Sequence, residues 1–563
     1  MEMEKKNLAI ILLAIFLAAS GIGNIILGIQ VGIVEVVAPE KETLIIGTGS
    51  GPADLDPTYS WDSASNDVIM QVAETLFFNN LSHPDMPLTN WLAESYTWEN
   101  TTVLEITLRT GVKFHDGEVF DADAAIWNFE RLYYLMNHTG DLAEGTPRAQ
   151  IHSLYEFSDG SQVFKSFTKI SEYVIQIELY GPFTPILAAM SYVSCSMLSP
   201  ESTPEKEYLD TATDDLVGTG PYDYVEYVTD DYVLFTRFDD YWMEPVMFDE
   251  LIFNVMEDPS TRNYAMLAGD IDYLWGSIPD LWDTFNKSES ITFRPSPKPG
   301  LAYYYLGINN NLINVTWRKA ISYAINYTYI LEDYFLGANV KSYGPVSPGY
   351  SLYYDDLSDV APYCNITIAR QTLIDAGVTT LDVNDDTGWQ TTTLRKLNYT
   401  GNSDNAYRAD MLPVLHDWLG EIGIEVTDGL CTWARFLYLL YGQHPSGYDA
   451  LELYMVGWGP DYLDPMNMIQ PLFSNISGSN TAQVNDPLLE EYIEAYMLQP
   501  NELIRIEIIK NISLYLCTEL YPHAFTFHPQ SYSIHAADLY NVAYNVAGNQ
   551  WLYPIKRDLD WTP

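Results

Sequence analysis

The feature that most constrains this chain is a run without charge. From Leu8 to Val34 there is no Asp, Glu, Lys or Arg, and the polar side chains are Ser20, Asn24 and Gln30. About 20 apolar residues suffice for a helix to cross a bilayer. A cleaved secretory leader has a shorter apolar core, about 7–15 residues, followed by small residues. Ala18–Ser20 offers such small residues, but the run continues past them. Residues 1–38 therefore read as an uncleaved signal-anchor helix, with cleavage and secretion as the alternative. Lys5 and Lys6 precede the run, which puts everything after about Pro39 outside the cell. No cysteine follows at which a lipid could be attached. The remaining chain has to fold in water, on the outer face of the cytoplasmic membrane.

That remainder is too long for one core: the chain has 563 residues, so two or three domains are expected. A net charge of −49 argues against nucleic acid and anionic lipid surfaces, whose phosphates it would repel. It reads as a solvated exterior, with salt adaptation or cation attraction as the alternative. Glycosylation sequons at Asn80, Asn100, Asn137, Asn286, Asn314, Asn326, Asn365, Asn398, Asn475 and Asn511 agree with an exterior address and a glycoprotein. Cys195, Cys364, Cys431 and Cys517 are widely spaced and form no metal-finger pattern. Disulfides and buried thiols are both open.

Strand and helix patterns alternate. "VLEITLR" sets Leu104, Ile106 and Leu108 on one face, and "YVIQIEL" does so with Ile175, Ile177 and Leu179. "DADAAIWNFERLYYL" opens on a capping Asp and spaces Ile126, Phe129 and Tyr133 helically. "TWRKAISYAINYTYILEDYF" reads as one amphipathic helix. "DPLLEEYIEAYM" has Asp486 as cap and Pro487 in the first turn. Three glycine- or asparagine-rich loops each follow a strand: "GTGSGPADLDP" (47–57), "NYTGNSDN" (398–405) and "VGWGPDYLDP" (456–465). In α/β sheets ligands bind beyond the carboxyl ends of strands, where glycines admit them to the backbone and helix N-termini offer N–H groups. Ser50, Gly51, Tyr399, Asn402, Gly457, Trp458, Asp461 and Tyr462 lie in these loops and are candidates for ligand contact.

Several blocks resemble the family 5 extracellular solute-binding proteins, the dipeptide- and oligopeptide-binding components of ABC importers. They are "LRTGVKFHDGEVFDADAAIWNFERL", "VGTGPYDYVEYVTDDYVLFTRFDDYW", "AMLAGDIDYL", "YYLGINNNLINVTWRKAISYAIN" and "YGPVSPG", in the family's order from about residue 43 to about 545. The resemblance implies an α/β, periplasmic-binding-protein-like fold with two lobes joined by a two-strand hinge. Lobe I would take residues 43–302 and 524–563, with an extra subdomain inserted at about 83–215. Lobe II would take 303–523, and the hinge would run near "YYYLGINN" and "HAFTFHP". The implied function is capture of an oligopeptide between the lobes for delivery to a membrane permease, by a protein expected to be monomeric.

In peptide-binding members of that family, an aspartate three residues after the loop tryptophan pairs with the peptide's α-ammonium. The resemblance gives that role to Asp461, with Trp458 as an apolar wall and Trp433 lining a side-chain pocket. The plain alternative is an Asx turn at Asp461 and a core Trp458. One departure stands out: dipeptide binders carry an arginine in the loop that here reads "NYTGNSDN", and Arg408 falls within the following helix, where a surface role is expected. A free dipeptide would lose its bidentate clamp, so longer peptides lead. Oligosaccharides follow, since Tyr399, Asn402, Asp404 and Asn405 suit hydroxyl hydrogen bonding. An enzyme using Asp461 and Asp464 as a carboxylate pair is the alternative of another class. No cofactor or metal is expected. His115 and Asp116 are adjacent rather than spaced as ligands, His523 and His528 read as packing near the hinge, and "GTGSG" lacks a phosphate-loop lysine.

Overall fold

The computed structural model describes residues 42–561 except 84, 85, 278, 404, 544 and 549. The apolar run at 8–34 and Asp404 therefore lie outside the described residues, and among those described no helix is long and apolar enough to cross a membrane.

Two sheets organise the chain. The first has seven strands in the order Ile291–Pro299, Gln530–Ala536, Tyr273–Leu274, Thr43–Thr48, Glu250–Val255, Tyr232–Arg237 and Tyr222–Val228. Thr43–Thr48 pairs parallel with both of its neighbours, and the outer pairs are antiparallel. The second has six strands in the order Val340–Lys341, His523–His528, Tyr303–Ile308, Leu453–Trp458, Arg395–Thr400 and Ile424–Asp428. A separate antiparallel sheet of Ala93–Asn100, Val103–Leu108, Val174–Leu179 and Phe164–Ser171 lies in the segment between two strands of the first. Its apolar faces are those the alternation predicts: Leu104, Ile106, Leu108, Ile175, Ile177 and Leu179 are all buried.

The chain passes between the two large sheets twice, side by side. One crossing is the short link from Pro299 to Tyr303; the other is Pro529. Gly300 N donates to Pro529 O at 2.7 Å, and a His528 ring nitrogen lies 3.0 Å from Ala302 O. His523–His528 is paired with Tyr303–Ile308, so the return crossing lies at the end of the stretch "HAFTFHP". This is the mixed α/β, two-sheet architecture that the resemblance implies.

Local departures have local causes. The Ala122–Leu135 helix is capped by Asp121, but its buried stripe runs through Ala125, Phe129, Leu132 and Leu135, leaving Ile126 and Tyr133 partly exposed. The helix expected across 316–335 breaks after Ala324 and resumes as a π-helical turn, Tyr329–Tyr334. Ile325 is extended, and the Asn326 side chain accepts from Tyr329 N at 3.1 Å, starting the second segment. Asp486 caps Pro487–Met497 by accepting from Leu489 N. All four cysteines are free thiols.

Candidate ligand-binding site

Arg395–Thr400 and Leu453–Trp458 run parallel, so their carboxyl ends open on one edge of the second sheet. Beyond that edge lies a cavity of about 740 Å3, the size of sites that enclose small organic ligands. All three strand-end loops reach it: Ser50 from the first, Asn402 from the second, and Gly457, Trp458 and Asp461 from the third. Trp433, at the start of the Trp433–Leu440 helix, lines it as well.

The Gly457–Asp461 segment is shaped by its partners. Gly457 pairs with Tyr304, and a Cβ at 457 would sit 2.9 Å from the tyrosine ring, so only glycine fits this register. Trp458 Nε1 donates to Asn467 O at 3.2 Å. Asp461 is held at both ends by Asn467, a residue with no exposed surface. The Asp461 N–H donates to Asn467 Oδ1 at 2.6 Å, and Asn467 Nδ2 donates to Asp461 Oδ2 at 2.9 Å. The other carboxylate oxygen accepts from Trp61 Nε1 at 2.7 Å, and the Tyr192 hydroxyl also bonds the group. The Trp61 and Trp458 rings meet edge to face, 5.8 Å between centroids. Burial raises the Asp461 pKa to about 7, against the lowering effect of the Asn467, Trp61 and Tyr192 bonds. The arrangement is a carboxylate on a cavity wall, fixed in orientation, for which ionisation is costly without a cation.

Other residues are not brought to this cavity. Tyr399 is fully buried, and its hydroxyl donates to Arg408 O at 2.7 Å, which turns it into the helix behind the loop. Tyr462 is packed into the main core at 1% exposure. Gly51 lies against Tyr227, whose hydroxyl oxygen would be 2.4 Å from an added Cβ. Asp464 is not a lining residue: it caps the turn Pro465–Met468 and accepts from the Tyr496 hydroxyl at 2.8 Å, so it makes no carboxylate pair on the cavity with Asp461. At the two helix starts beside the loops, side-chain caps take one N–H each: Asp62 accepts from Ser65 N and Asn405 from Arg408 N.

Arg408 overturns the surface role expected of it. It is 7% exposed and lines the cavity, because the first turn of its helix abuts the second loop. Its Nη1 donates to Asn402 Oδ1 at 2.5 Å, and its guanidinium lies 5.4 Å from the Trp433 ring centroid. Arg262, the other cationic lining residue among those described, is committed to the backbone carbonyls of Met256, Glu257, Trp275 and Gly276. His115 is likewise structural: Gly218 N donates to its Nδ1, and its Nε2 meets Gly220 O at 2.9 Å. His523 stacks on Tyr305 with centroids 3.8 Å apart. No group of His, Cys, Asp and Glu among the described residues could hold a metal ion. Trp61, Tyr192 and Arg408 line the cavity and Asn467 holds Asp461, and reading the sequence proposed none of the four as a ligand contact.

Residues 87–480 match the family described as "Bacterial extracellular solute-binding proteins, family 5 Middle". The chain is similar to the dipeptide-binding protein of Escherichia coli K12, 25% identical over 453 residues covering 75% of this chain and 78% of that one. It is also similar to heme-binding protein A of Haemophilus influenzae, 26% identical over 488 residues covering 82% and 83%. Among solved structures, the dipeptide-binding protein of Pseudoalteromonas sp. SM9913 in complex with Met-Leu superposes with a TM-score of 0.79 at 20% identity, covering 92% of this chain and all of that one. The oligopeptide-binding protein AppA of Bacillus subtilis, in complex with a nonapeptide, gives 0.77 at 20% identity over 92% and 100%. At such identities the structural likeness establishes a shared fold.

Proposed function

Because the chain belongs to the family 5 bacterial extracellular solute-binding proteins, we propose that it captures oligopeptides in this cavity and delivers them to the permease of an ABC importer. The observation that carries the reading is Asp461. A peptide's α-ammonium supplies the positive charge that this half-buried carboxylate needs, and a charge-assisted bond in a cleft is strong. Lobe I takes 43–302 together with the chain after Pro529 and holds the subdomain at 83–215; lobe II takes the segment between. With those boundaries the Trp61–Asp461 bond spans the cleft, and ligand capture is closure of one lobe on the other. The protein is a monomeric binder without chemistry of its own, held at the outer face of the membrane by residues 1–38. An oligosaccharide is the second reading, favoured by the indoles of Trp61, Trp433 and Trp458 in the lining.

Titration calorimetry with a free-amine tripeptide tests the assignment. Asp461→Asn is nearly isosteric and removes the charge, so it should weaken binding by about 2–5 kcal/mol. Unchanged peptide affinity in that variant would refute the ammonium role.

A further inference from the structure

The cavity has a second, chemically distinct end. Phe78, Leu463 and Trp551 are partly buried and pack with buried Leu81 in an apolar cluster apart from the two main cores, and partly buried Met70 touches both that cluster and the first core. All five line the cavity, as does Trp91, whose ring centroid is 5.0 Å from that of Phe78 and 6.1 Å from that of Trp551. The polar groups beside them are engaged with one another. Glu74, 7% exposed, accepts from Trp91 Nε1 at 2.7 Å, the Tyr241 hydroxyl at 2.7 Å, Thr219 Oγ1 at 2.8 Å and Trp242 Nε1 at 3.0 Å. Asn79 Nδ2 donates to Ser191 Oγ at 3.0 Å.

A buried carboxylate is tolerated only when its acceptor sites are filled, and here three of the four donors are aromatic side chains. Glu74 thus fixes Trp91 in one orientation before any ligand arrives, and Arg109 backs the same wall, its guanidinium 4.8 Å from the Trp242 centroid. A preorganised aromatic wall gives up little rotamer freedom on binding. What this wall offers a guest is apolar and aromatic surface.

We infer that this end is a subsite for one bulky apolar side chain of the ligand, with Glu74 as the residue that positions its Trp91 wall. The inference rests on the oligopeptide reading. Position follows from the chain: Leu463 is two residues beyond Asp461, at most about 7 Å away along the backbone. With the α-ammonium at Asp461, the side chain of one of the first two peptide residues reaches the subsite.

The test is calorimetry with three peptides, Ala-Ala-Ala, Phe-Ala-Ala and Ala-Phe-Ala. One of the two phenylalanine peptides should bind about 10- to 100-fold more tightly than trialanine, the gain expected for burying that ring. Phe78→Ala and Leu463→Ala should each shrink the ratio of phenylalanine-peptide to trialanine affinity. Glu74→Gln should also shrink it, an effect on selectivity that a role in stability alone would not produce. If trialanine binds and neither phenylalanine peptide is preferred, the subsite is wrong while the peptide reading stands. The subsite also fails if the preference survives both wall variants. If no peptide binds, the oligopeptide reading falls and the subsite falls with it.

Discussion

At the scale of single residues, the account turns on what burial does to one acid. Burial raises the Asp461 pKa to about 7, against about 3.9 in an unfolded chain. The sign for folding follows: the fold favours the protonated form, so this group's contribution to stability is full below about pH 4 and lost as pH rises through about 7. Binding has the opposite sign, because an ammonium requires the ionised carboxylate. Affinity for a free-amine peptide should therefore weaken by up to about tenfold per pH unit below about 7, and decline again above about 8 as the α-amine loses its proton. Burial also raises Asp62 and Asp464, so Asp461→Asn is the needed control: its acid limb should vanish, and an unchanged limb would assign the titration elsewhere. The place of Asp461 and Trp458 at the cavity was legible because a strand running into glycines, an indole and a carboxylate is chemically odd for a plain turn. Trp61 was not, because it meets Asp461 from 400 residues away and no spacing rule records such a meeting. Arg408 was misjudged for a related reason: a helical position carries no mark of which neighbours its face will meet.

Among elements, the second sheet depends on paired small and large residues on facing strands. Gly307 lies opposite Tyr454, and Gly457 opposite Tyr304. A Cβ at 307 would be 2.1 Å from the Tyr454 ring, which is fully buried with its hydroxyl bonded to Thr481. Gly307→Ala must move that ring and should destabilise the protein by about 1–3 kcal/mol, read as a lower urea midpoint. A wild-type midpoint would mean that the crossing strand yields more easily than its packing suggests. The strands of the four-stranded sheet could be read from alternation alone, since one face is wet and the other dry. The break at Asn326 could not, because the same asparagine suits a helix interior or a cap, and the choice rests on Ile325 turning extended.

For the molecule as a whole, two sheets joined by adjacent crossings at 300–302 and 529 place three strand-end loops around one cavity. The order of blocks along the sequence conveyed that α/β architecture, but the residue at which the chain changes sheets is set by strand pairing, which block order does not record. Within the cavity, the proposed cation partner at Asp461 sits beside an apolar end backed by Glu74, which suits a ligand that is charged at one terminus and bulky next to it. The most direct measurement compares a tripeptide carrying a free α-amine with its N-acetylated twin by titration calorimetry near pH 7.5. Only the free amine can pair with the half-buried carboxylate, so acetylation should cost about two to three orders of magnitude in affinity. Equal affinities for the two peptides would contradict the account.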